Sequence, residues 1–473
     1  MSDAAIEEAP PIEPGPSEAP RGPIVDAAML GLASGAILVP LNSTMLAVAL
    51  PSIMSEFNVT AATVASLVTI YLGAVAIALP TGGSLGDRFG HRRTFLVGVV
   101  AFGLASALAA VATSFEILAV SRVLQAASGA LVSTSSVSLL RITAPAERRG
   151  AVFGTFDMLV SVSAAVGPLV GGLIVGAFGW RAMFLLAVPV AGVAAILVAA
   201  LPQMRRPEAR HAPRPLDVPG LALLAVTLIA LLLGIRGLES GGAEGLALVA
   251  VPVLVVLFVA LELRTEHPAV DPRLFASPAF AAASLGILGA TVILHATFVL
   301  VPLLVEGIQG GDPLASGFAL LGISALGAVA APIGGRMSDV AGRRRPAVLG
   351  MVVAAIALAG LWAVAPEASA LALSGLLAAV GFGMGMAGSP RQTAALETVD
   401  AARAGMAAGT YYTGRYIGGA LGATLAGTVL GGAVTAGAVS TGFALLAVVA
   451  VAVAAVSLLL PGRRPAHAAA ATR

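Results

Sequence analysis

No cysteine occurs in this 473-residue chain. That absence removes disulfides, thiolate metal sites and cysteine nucleophiles together. No lysine occurs either, so all 26 basic residues are arginine. Charge of either sign is scarce: 11% of residues are Asp, Glu, Lys or Arg, against about a quarter in soluble domains. A soluble protein of this length could not cover its surface with so few charges. With 58% hydrophobic residues, lipid must be the solvent for most of the chain. Five histidines lie without metal-ligand spacing. No phosphate-binding Walker sequence and no nucleophile–base pair occurs, so neither an enzyme nor an ATP-driven pump is expected, and no metal or cofactor. A net charge of +2 gives no footprint for nucleic acid. Alanine and arginine without lysine is the composition a high-GC bacterial genome tends to give.

Long apolar runs are what the chain does have. Crossing about 30 Å of hydrocarbon takes roughly 20 apolar residues as a helix. Fourteen such runs are predicted: 27–50, 61–79, 94–112, 117–140, 151–178, 182–201, 218–235, 243–261, 279–305, 314–333, 347–364, 370–388, 404–430 and 441–460. Barrel strands alternate and are half as long, so the fold class is an all-α polytopic membrane protein. Residues 1–24 hold acids and prolines without the basic start and apolar core of a signal peptide. They read as a disordered cytoplasmic tail, and residues 463–473 as a second one.

The arginines orient the chain. With the N-terminus inside, 22 of them fall in cytoplasmic segments, Arg205 to Arg214 and Arg391 included. Only Arg181 and Arg236 fall outside, and Arg122 and Arg415 fall within spans. This positive-inside bias places both termini in the cytoplasm of a cell membrane.

The chain also repeats itself. Gly83, Asp87, Gly90, Arg92, Arg93 and Gly98 recur as Gly335, Asp339, Gly342, Arg344, Arg345 and Gly350, at an offset of 252. Gly154-Thr155 and Gly167 recur as Gly409-Thr410 and Gly422, at an offset of 255. Spans 2 and 5 therefore correspond to spans 10 and 13. The plan is 6+2+6: residues 25–202 form one half, 203–265 a linker with two extra helices, and 266–462 the other half. Parallel halves around a central site suit alternating access.

These motifs resemble those of the major facilitator superfamily. Gly83 to Arg93, with Asp87, Arg88, Gly90, Arg92 and Arg93, looks like its motif A. Leu118 to Gln125, with Arg122, resembles motif B. Gly167-Pro168-Leu-Val-Gly171-Gly172 resembles motif C, which marks the exporter branch. Fourteen spans with these motifs resemble the drug:proton antiporters of that superfamily. The resemblance implies the major facilitator fold, a small-molecule substrate, protons as coupling ion, and multidrug efflux by a monomer in the bilayer. It also implies that Asp87, and more weakly Asp339, latches the halves on the cytoplasmic side, against the start of span 13 near Arg403 to Met406. An uptake or uniport carrier of the same fold is the alternative. A membrane sensor is disfavoured because no soluble domain would receive its signal.

One departure matters. The family usually carries Asp in span 1 where this chain has Asn42, which cannot titrate. The remaining polar residues of the spans are then candidates for cavity and coupling. Arg122 and Gln125 share a stripe of span 4, and Asn42 reaches a similar depth. Asp157 shares a stripe of span 5 with Pro168 and Gly171, a small-residue face that lets helices approach. Arg415 lies near mid-depth in span 13 with Tyr411, Tyr412 and Tyr416, and His295 lies in span 9.

Overall fold

The computed structural model describes residues 23–144, 149–200, 217–240, 243–266, 268–397, 399 and 404–462. Both tails, the Arg205 to Arg214 linker and Arg403 lie outside the described residues, as does the side chain of Asp157. Among the described residues there are fourteen α-helices and no strands. They are α1 Pro23–Phe57, α2 Ala61–Phe89, α3 His91–Ala110, α4 Phe115–Thr143, α5 Arg149–Phe178, α6 Trp180–Ala200 and α7 Val218–Ser240. Then follow α8 Ala247–Glu262, α9 Pro278–Gly307, α10 Pro313–Ala341, α11 Arg344–Val364, α12 Ala370–Glu397, α13 Ala404–Leu430 and α14 Ala436–Ser457. Twelve are long and apolar enough to cross a membrane. The others are α8, which is 16 residues long, and α13, whose 27 residues are rich in Gly and Tyr.

Local chemistry sets the helix starts. Thr60, Ser114, Asp312 and Thr435 each accept a backbone N–H three residues on, filling one of the orphan donors of the first turn. Gly90 and Gly342 end α2 and α10 at φ 94° and 81°, a backbone region that a Cβ disfavours. The two copies of the repeated loop thus turn in the same way.

The repeat governs the packing. In the first half, α1 packs on α5 and α6, α2 on α4, and α3 on α4 and α6. Each of these pairings recurs eight helices later: α9 on α13 and α14, α10 on α12, and α11 on α12 and α14. Between the halves, α2 crosses α13 and α5 crosses α10. The inserted pair α7 and α8 forms a hairpin, and α7 lies beside α2 and α13.

Several helices run past the predicted spans. The largest consequence is in α12, which continues to Glu397. Arg391, expected as a cytoplasmic loop charge, is instead 1% exposed inside that helix. It points at α9, where its Nη1 donates to the Gly286 carbonyl at 3.0 Å. Glycine at 286 makes the room, since a Cβ there would stand 2.8 Å from the Arg391 Cδ.

Candidate functional site

Four helices of the first half converge on one buried arginine. Arg122 of α4 is 0% exposed. Its Nη1 donates to Asn42 Oδ1 of α1 and, at 2.7 Å, to Gln125 Oε1 one turn on. Gln125 Nε2 donates to Ser106 Oγ of α3 at 2.8 Å, and Ser106 Oγ to the Phe102 carbonyl. The guanidinium lies 4.0 Å from the ring centroid of Tyr71 on α2, a cation–π stack that suits a desolvated cation. Arg122 Nε and Nη2 have no hydrogen-bond partner among the described residues. Asn42, Arg122 and Gln125 thus form one network. Tyr71 and Ser106, which the sequence reading passed over, complete it. Tyr71 is one of only four tyrosines in the chain, and that scarcity was the signal that could have found it.

The second half places its polar groups along α13. Tyr411 is 2% exposed and lies within electrostatic range of Arg391 and Arg415. Arg415 is exposed, although it sits 11 residues into a 27-residue helix. It lies within electrostatic range of His295 and Tyr416, and Tyr416 within range of Tyr71 across the halves. An arginine at mid-depth that faced lipid would cost several kcal/mol. That cost argues for a place facing the cleft between the bundles rather than lipid. His295 Nδ1 lies 3.1 Å from the Thr291 carbonyl, and a Cβ at Gly419 of α13 would meet its ring. Tyr412 Oη accepts from Gln392 Nε2 at 3.0 Å. Gln392 lines a cavity of about 420 Å³ with Ser389, Thr393, Leu396 and Glu397, near the end of α12.

The opposite end is closed by glycine. Gly167 and Gly171 of α5 lie against Thr44 and Met45 of α1; a Cβ on Gly167 would clash with the Thr44 side chain, and one on Gly171 would stand 3.0 Å from the Met45 Cα. Gly172 faces the other half: a Cβ there would stand 2.5 Å from the Pro313 carbonyl oxygen and 3.1 Å from the Leu314 Cα of α10. Gly317 of α10 meets the Pro168 carbonyl in the same way, at 2.5 Å. The repeat offsets carry Gly172 to Gly427 and Leu314 to Ala62. A Cβ on Gly427 would again stand 3.1 Å from the Ala62 Cα. The two crossings, α5 on α10 and α13 on α2, are copies of one contact. Thr69 of α2 and Thr424 of α13 add a 3.0 Å hydroxyl pair. At the other end, where α2 ends and α3 begins, no glycine contact joins the halves among the described residues. The cleft is thus shut at one end and unsealed by glycine at the other.

At the open end the repeated loops bond within their own halves. Asp87 is largely exposed and pairs with His91 at 3.2 Å, and Arg88 lies over the Phe89 ring. Arg93 is exposed, while Arg92 donates to the Val198 and Ala199 carbonyls of α6. Asp339 pairs with Arg343 at 3.4 Å. Arg343 also forks onto both carboxylate oxygens of Glu397, which holds its guanidinium above its ordinary pKa. This pair ties the start of α11 to the end of α12 across a polar surface.

Residues 32–423 match the sequence family described as the Major Facilitator Superfamily. A tetracenomycin C resistance and export protein of Streptomyces glaucescens is 33% identical, over 84% of this chain and 74% of the relative. An uncharacterized MFS-type transporter of Bacillus subtilis, YvkA, is 32% identical, over 84% of this chain and 89% of the relative. The fold is that of the solved peptide transporter POT, with a TM-score of 0.69 at 17% identity over 92% of this chain and 95% of that one. With the paired six-helix bundles, the glycine crossings and the loop motifs in place, the chain belongs to the major facilitator superfamily.

Proposed function

We propose that this protein is a secondary active exporter of small amphipathic, drug-like organic molecules in a bacterial cytoplasmic membrane. It works as a monomer by alternating access. The observation that carries this reading is the pair of glycine crossings that joins the halves at one end, with Arg415 exposed at mid-depth of α13 beyond them. The arginine bias supports a cytoplasmic location for the open end, and in this reading the conformation faces inward. The export named for the Streptomyces relative, together with the Gly167 to Gly172 motif, favours outward over inward transport.

Protons are the proposed energy source. Asn42 cannot carry one, so Asp157 of α5, beside the Gly-Pro segment, takes that role in this reading. Asp157→Asn is then expected to abolish proton-driven accumulation while sparing passive exchange. Counterflow and gradient-driven flux of a drug-like dye in proteoliposomes separate the two. Unchanged gradient-driven flux in the variant would remove Asp157 from the mechanism. Asn42 itself favours a second reading, uniport, which takes over if the wild type ignores an imposed proton gradient.

Asp87 is proposed to latch the cytoplasmic end when the halves close there, leaving His91 for the first turn of α13, where orphan amides and the helix dipole favour an anion. Asp87→Asn should lower transport several-fold with undiminished protein in the membrane, and Asp339→Asn should do less. Wild-type flux in Asp87→Asn would make the loop a topological signal alone.

A further inference from the structure

The interior of this transporter is cationic. Arg122 of α4 and Arg391 of α12 project into the cores of their bundles, and Arg415 of α13 is exposed. No described Asp or Glu forms an ion pair with any of them. Toward the closed end Glu56 pairs with Arg181 and Glu306 accepts from Ser316, so the described carboxylates there are engaged elsewhere. Position 42, where an acid would neutralise Arg122, holds an amide instead. Arg122 and Arg391 are sealed from solvent, at 0% and 1% exposure. Arg415 is exposed to the cleft and has no hydrogen bond or ion pair recorded among the described side chains.

Aromatic rings of its own helix surround Arg415. Tyr411 and Tyr416 lie within electrostatic range of it, and Tyr412 within range of both. Tyr411 and Tyr412 meet edge-on, their centroids 5.7 Å apart. A guanidinium presents a planar fork of donors that matches a carboxylate or an acidic enol. In a cleft with low-dielectric walls, the two sealed arginines add to the field that such an anion feels.

Resting on the exporter reading above, we propose that the cargo is an amphipathic organic anion, its acidic group held by Arg415 and its apolar body against the tyrosines. This assignment also accounts for Asn42. An anion leaving a cell whose interior is negative moves down the membrane potential. An ordinary potential sustains about a fifty-fold gradient for each charge moved. Export of such a cargo is driven without a titratable group in α1.

The test uses the purified full chain and two xanthene dyes of opposite charge, fluorescein and rhodamine 123. Fluorescence anisotropy in detergent measures affinity, and loaded proteoliposomes with a potassium–valinomycin potential measure flux. Fluorescein is expected to bind at least ten-fold tighter than rhodamine 123. Arg415→Gln should remove that preference and Arg415→Lys should keep most of it. Because Arg415 is exposed, neither variant loses core packing. A potential negative inside should speed fluorescein export several-fold. Equal or tighter rhodamine binding, no binding of fluorescein, or full fluorescein affinity in Arg415→Gln would each overturn the anion site. Selective fluorescein binding without flux of either dye would uphold the site and sink the exporter reading instead.

Discussion

Gly317→Leu is expected to slow transport about ten- to hundred-fold while the protein still accumulates in the membrane. A Cβ on Gly317 would stand 2.5 Å from the Pro168 carbonyl oxygen, and that neighbour is backbone, which cannot swing aside. Membrane helices approach this closely only where their facing residues are small. Overpacking a tight contact costs about 1–3 kcal/mol, and each 1.4 kcal/mol is about ten-fold in a population. The cost falls on one state alone, the one in which α5 and α10 meet, so the variant shifts toward an outward-open form. Gly427→Leu, at the copy of this contact, should act in the same direction but less, since its nearest neighbours stand at 3.0 Å and 3.1 Å. The chain has no native cysteine, so Ala65→Cys on α2 reports the change cleanly. Its labelling by an impermeant maleimide in intact cells should rise in the Gly317→Leu background. Normal flux with unchanged labelling would show that this seam is not a gate.

Arg122→Ala should cost both stability and function. It leaves Asn42 and Gln125, both fully or nearly buried, without their shared donor. It also strips the cation from the Tyr71 ring. Each buried polar group left unpaired costs about 1–3 kcal/mol, and the cavity left behind adds to that. The expected result is a Tm lowered by several degrees and transport reduced more than ten-fold. Arg122→Lys should recover most of the stability, because one ammonium can reach both oxygens that Nη1 now serves. It should recover less of the transport, because an ammonium stacks poorly on a ring. Thermal unfolding in detergent and dye flux in proteoliposomes read the two effects separately. Unaltered flux in Arg122→Ala would reduce the network to scaffolding for α1, α3 and α4.

The order of the helices was legible in the sequence because the bilayer imposes it. A segment that spans hydrocarbon must be long and apolar. The internal repeat was legible because Asp87, Gly90 and Gly167 recur at fixed offsets as Asp339, Gly342 and Gly422. Both facts are local in the chain. The candidate site was only half legible. Depth along a helix can be counted, which brought Asn42 and Arg122 to one level. Direction around the helix could not be counted for Arg391, which hydropathy left as a loop charge. The two extra turns of α12 and the space above Gly286 made it a core residue.

What the sequence by itself determined is the order of the helices, the two-fold plan and the scarcity of titratable groups in the apolar spans. What only the tertiary structure decided is which of its small and polar residues meet. Gly172 against Leu314 and Gly427 against Ala62 are one contact made twice, yet no pattern in either segment names its partner. In lipid the hydrophobic effect does not choose between apolar helix faces. Partners are set by close backbone approach and by the few polar groups that must find each other, and both are properties of the assembled bundles.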